Sequence, residues 1–130
     1  MNNLVIEWIK KADTDLDVAF FLFKNGMSLE VVAFHCQQAS EKYLKAFLVS
    51  INIKIAKTHD LDALLLMCAT EDESFYEIDR LILSAMTDFA VEYRYPVYYS
   101  NPSSEEVENY LKTAKFLGIK VKKTLSKNGK

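Results

Sequence analysis

The segment Arg94-Tyr95-Pro96-Val97-Tyr98-Tyr99 sets a permanently charged guanidinium among tyrosines, stiffened by proline. Arginine offers a planar fork of donors that matches phosphate, and an aromatic face stacks on a nucleobase at about 1–3 kcal/mol per base. Arg94, Tyr95 and Tyr98 are therefore candidate nucleotide contacts. The structural alternative pairs Arg94 with an acidic side chain and lets the tyrosines pin a helix end. A second set of donors, His35, Gln38, Lys42 and Lys45, recurs at i, i+3, i+7 and i+10 as one row along a helix, facing solvent or a partner. Gln38, Lys42 and Lys45 join the candidate binding residues. The plain alternative for Lys45 is an exposed i, i+4 pair with Glu41, worth a few tenths of a kcal/mol. His59, in Thr58-His59-Asp60 ahead of a helix, either caps backbone groups or touches a ligand. Asp13, Asp15 and Asp17 invite a calcium-loop reading, but no glycine stands sixth and no glutamate twelfth. On a helix they point in different directions as solvated charges. No metal site and no cofactor are expected.

The chain that must position these groups has 130 residues, half of them apolar, which predicts one domain with a core of its own. A net charge of −2 argues against coating nucleic acid by bulk electrostatics, so any nucleotide contact must be local. Cys36 and Cys68 lie far apart within helical patterns, without metal-ligand spacing, and read as buried free thiols of a reducing, cytoplasmic compartment. The amphipathic N-terminus is unlike a signal peptide, and no apolar run is long enough to span a membrane.

Three glycines and two prolines punctuate the chain too sparsely for a sheet, and the fold class predicted is all-α, an up-and-down bundle of four long helices plus one short one. The first runs from Asn3 to Lys24 and stops at Asn25-Gly26. The second starts at an N-cap Ser28, ends near Asn52, and buries Val32, Cys36, Ala39, Tyr43, Ala46 and Phe47. A short third helix, capped by Thr58 or Asp60, buries Leu61, Leu64, Leu65 and Cys68. The fourth spans about residues 74–93 and ends before Pro96. The last opens on the capping box Ser103-Ser104-Glu105-Glu106. If helix directions simply alternate, the end of the second helix, the His59 loop and the end of the fourth helix share one pole. Lys42 or Lys45, His59 and Arg94 then line one cleft. Ile6, Phe21 and Val49 fall off the buried stripes and are candidate subunit contacts.

The run Phe34-x-x-Gln37-Gln38-Ala39-x-Glu41-Lys42-x-x-Lys45-Ala46-x-Leu48, then Thr58-His59-Asp60-Leu61 and Arg94-Tyr95-Pro96, resembles the HEPN domain (higher eukaryotes and prokaryotes nucleotide-binding). Ala12-Asp13-x-Asp15-Leu16-x-x-Ala19 looks like the opening of that domain. Members that cleave RNA carry an arginine followed four to six residues later by a histidine, presented across a dimer interface. Here Arg94 carries over, but no histidine follows His59. Tyrosine, with a pKa of about 10, is a poor replacement for imidazole as a proton carrier. The resemblance thus implies a non-catalytic homodimer that binds a nucleotide or RNA and partners a separately encoded minimal nucleotidyltransferase, in a toxin–antitoxin-like pair or split enzyme. A second reading is a metal-independent ribonuclease using Arg94 with His59 or Tyr98. A third is a protein-interaction bundle without a nucleotide site.

Overall fold

The computed structural model describes residues 2–55, 57–93, 95 and 101–128, with Asn128 by its backbone alone. Among these the fold is all-α, with helices α1 (Asn3–Lys24), α2 (Leu29–Ser50), α3 (Leu61–Glu71), α4 (Arg80–Glu92) and α5 (Ser104–Asn128), and a 3-10 turn at Glu73–Glu77.

Each boundary has a local chemical cause. The Asn2 side chain accepts from Val5 N and opens α1, while Ser28 accepts from Val31 N and opens α2. Gly26, at φ +66°, closes α1 with Met27 N donating to Leu22 O and Gly26 N to Phe23 O. Asn52, at φ 60°, performs the same turn after α2, with Ile53 N donating to Leu48 O. Asp60 caps α3 by accepting from Asp62 N and Ala63 N. Ser103 and Glu106 form the expected reciprocal box at the head of α5.

The fourth helix is shorter than its periodicity predicts. Asp72 accepts from Ser74 N and starts the 3-10 turn, and Asp79 accepts from Leu81 N and Ile82 N to start α4 afresh. Two aspartates that favour helix starts thus divide residues 74–93 into a turn and a helix.

α2 is the axis of the molecule and touches each of the other four helices. The stripe Val32, Cys36, Ala39, Tyr43, Ala46 and Phe47 is buried, as are Leu44 and Leu48 beside it. A helix surrounded in this way has little solvent face, and the donor row does not have the exposure expected of it. Lys45 is buried, and His35, Gln38 and Lys42 are half-buried. α5 closes on α2 at Gly118, where an added Cβ would stand 2.7 Å from the Tyr43 ring.

Helix directions do not simply alternate. Residues 51–55 and 57–60 run back along α2, so that the His59 carbonyl accepts from Gln37 Nε2 halfway along it. α3 then follows α2 in the same sense, with Cys68 Sγ donating to Leu44 O at 3.7 Å. α4 returns antiparallel, placing Met86 by Ser40 and packing the Tyr93 ring against Phe34 with ring centroids 5.3 Å apart. The end of α4 therefore lies by the first half of α2, at the other end of the bundle from the last turn of α2.

Candidate functional site

Glu41 is the centre of the polar flank of α2. Its Oε2 accepts from Lys45 Nζ at 2.8 Å, and its Oε1 accepts from Gln37 Nε2 at 3.1 Å and faces His59 Nδ1 at 3.0 Å. Gln38 Nε2 donates in turn to Gln37 Oε1 at 2.8 Å. The Lys45 ammonium also lies 5.8 Å from the Trp8 ring centroid, so α1 supplies an aromatic face to the same charge. Burial alone would raise the Glu41 pKa, but the hydrogen bonds from Lys45, His59 and Gln37 outweigh it and hold the carboxyl below its ordinary value.

The Glu41–Lys45 pair is thus not the exposed helix pair its spacing suggests, because its side chains are only 7% and 10% exposed. His59 differs, with a side chain 64% exposed. It does not cap α3, a task that falls to Asp60. Beside it, Phe34, Gln37, Gln38, Thr87, Ala90 and Val91 enclose a shallow hollow of about 50 Å³.

Of the three aspartates of α1, Asp17 is exposed as expected, but Asp13 and Asp15 are not solvated spectators. Asp15 accepts from Lys42 and faces His35 Nδ1 at 2.9 Å, which joins α1 to α2 and neutralises the Lys42 charge. Asp13 accepts from the Tyr43 hydroxyl and, at 2.8 Å, from Lys122 of α5. Both carboxylates thus tie α1 to α2, Asp13 reaching α5 as well, and among the described residues no group of three His, Cys, Asp or Glu side chains is placed to hold a metal.

Of the candidate residues, the fold brings Lys45, His59 and Gln38 together through Glu41 and Gln37, and turns Lys42 to Asp15. Tyr95 is exposed, its N–H donating to Glu92 O. Arg94 and Tyr98 lie outside the described residues, and with them the Arg94 part of the shared cleft. Glu41, the hub, was legible only as half of an i, i+4 pair, because nothing local announces that His59 returns to it from 18 positions away. Of the candidate subunit contacts, Phe21 is 65% exposed, whereas Val49 packs against the core and Ile6 is half-buried. Cys36 and Cys68 are both buried and free, and burial pushes each thiol up to about 12.

The fold and site define a small helical bundle with a carboxylate-centred polar flank on its central helix. Residues 5–123 match the HEPN domain, and the chain belongs to that family, a nucleotide-binding and ribonuclease superfamily. It is similar to the crystal structure of ST0689, an archaeal HEPN homologue, at 26% identity and a TM-score of 0.67, over 96% of this chain and 99% of that one. It also shares its fold with TT1696 from Thermus thermophilus, at 22% identity and a TM-score of 0.74, over 94% and 98% of the two chains. No curated protein matches. Among the described residues no helix is long and apolar enough to cross a membrane.

Proposed function

We propose that this chain is a nucleotide- or RNA-binding accessory subunit, a homodimer that pairs with a separately encoded minimal nucleotidyltransferase in a toxin–antitoxin-like module or split enzyme. The observation that carries this reading is an absence in the sequence of a HEPN-family chain: after Arg94 no histidine follows, so the imidazole of the ribonuclease members has no counterpart. Arg94 with Tyr95 and Tyr98 contacts phosphate and base, and His59 and Gln38 contribute from the flank of α2. Lys42 and Lys45 act through Asp15 and Glu41, which hold them. The exposed Phe21 near the end of α1 is a candidate dimer contact. Three measurements test this. A ligand at 100 times its dissociation constant adds about 2.7 kcal/mol of stability, so a nucleotide-dependent rise in Tm is expected. Absence of any rise across nucleotides and short RNAs would leave only an interaction bundle. Co-expression with the neighbouring reading frame should yield a stable complex, and Phe21→Glu should shift sedimentation of the isolated chain from dimer to monomer.

One observation favours the ribonuclease as a second reading. His59 is oriented by a carboxylate at 3.0 Å while most of its ring is open to solvent, an arrangement suited to a general base. Incubation with RNA in the absence of metal separates the two. Cleavage abolished in both Arg94→Ala and His59→Ala would establish the enzyme, and intact RNA would exclude it.

A further inference from the structure

The hydrogen bonds around Glu41 have a direction. A carboxylate only accepts, so the Gln37 amide must turn its NH2 group toward Glu41, where Nε2 stands 3.1 Å from Oε1. The Gln37 carbonyl oxygen is then left to accept, and Gln38 must present its own NH2 to it, as it does at 2.8 Å. Gln38 keeps Oε1 as its acceptor. The same constraint falls on His59: with Nδ1 against the carboxylate, that nitrogen carries the hydrogen, and in the neutral ring the lone pair is on Nε2. Donors therefore run inward to Glu41, and both Gln38 and His59 line the hollow with acceptors in hand.

The cations complete the argument. Lys45 is held by Glu41 and Lys42 by Asp15, so neither charge on this flank is uncompensated. The hollow, at about 50 Å³, is far below the roughly 300–1,000 Å³ of a site that takes a whole ligand, so it receives one group of a larger molecule. Among the described residues the rim is uncharged, and although Gln38 keeps one N–H, its free acceptors suit a neutral donor better than a phosphate.

We infer that Glu41 is a positioning residue that keeps the His59 Nε2 lone pair outward, and that the hollow between Phe34 and His59 takes an uncharged hydrogen-bond donor of a nucleotide, a ribose hydroxyl or a base amino group. The ligand half of this inference rests on the nucleotide-binding reading above; the orientation of His59 does not.

The test is nitrogen NMR of His59 in the full-length, 15N-labelled protein, at a pH where the same spectra show the ring neutral. The wild type should hold the Nδ1–H form by at least tenfold, and Glu41→Gln should collapse that preference. A wild-type ring protonated on Nε2 overturns the inference whether or not the variant folds. The four ribonucleosides, their 2′-deoxy forms, purine riboside and inorganic phosphate are then titrated into wild type. At least one ribonucleoside should move the Nε2 resonance saturably, and phosphate alone should not. Loss of the effect with the 2′-deoxy form assigns the donor to the ribose, and its survival there but loss with purine riboside assigns it to the amino group. Phosphate moving Nε2 where no nucleoside does overturns the inference and leaves a nucleotide site standing. No response to any of them overturns the ligand half, and the nucleotide reading falls with it where the nucleotide-dependent rise in Tm is missing too.

Discussion

At the scale of single residues, the chemistry of this chain turns on which charges are compensated. Glu41 and Lys45 are buried together, and truncating one partner of such a pair leaves the other uncompensated at a cost of about 3–5 kcal/mol. Lys45→Met should therefore lower the urea midpoint sharply, whereas Lys10→Met, in an exposed pair with Glu7, should change it little. The pH dependence follows from the Glu41 carboxyl, whose folded pKa lies below its ordinary 4.5. Such a group binds its proton more weakly when folded than when unfolded. Its stabilisation is complete above the ordinary value and is lost as pH falls through the folded one. Chemical denaturation from pH 7 down to pH 3 should show this decline, and Glu41→Gln should flatten it. The two thiols make a simpler case. Buried and raised to about 12, Cys36 and Cys68 should resist alkylation at pH 8 in the native protein and react at once in denaturant, as mass spectrometry would show.

Between elements, the tightest constraint is the crossing of α2 and α5. Gly118 sits where any side chain would meet the Tyr43 ring, and that ring cannot retreat because its hydroxyl donates to Asp13 on α1. Gly118→Ala gains about 1 kcal/mol of helix propensity but overpacks the crossing by about 1–3 kcal/mol. The expected outcome is a lower Tm, and an unchanged or higher one would mean that the helices can separate. The division of residues 74–93 has a milder test. Asp79→Ala removes the cap of α4 and should cost about 1 kcal/mol, since Leu81 N and Ile82 N lose their acceptor.

For the whole molecule, the decisive feature is the path of residues 51–55 and 57–60. By running back along α2 it delivers His59 to Glu41, and it lets α4 finish beside Phe34. The polar flank and the hollow are products of that path. With both cysteines free, no disulfide braces a scaffold of this size, so the bundle should unfold in one cooperative step, with near- and far-ultraviolet circular dichroism transitions coinciding.

Most of the fold was legible because helix signals are local. Asn3 and Lys24 bound α1 as the periodicity predicts, Ser28 caps α2, the buried stripe of α2 is buried, and the box at Ser103 and Glu106 closes as written. Capping, left-handed stops and 3.6-residue spacing act within a turn or two of chain, and one sequence displays them in full. The partners of the charges were not legible. Asp15 with Lys42 and Glu41 with His59 are joined across 27 and 18 positions, and their identity depends on which helix faces which and in what direction. From spacing alone the donor row of α2 is a surface. Packing four helices around α2 made it an interior flank, because a helix at the centre of a bundle has almost no side left for water.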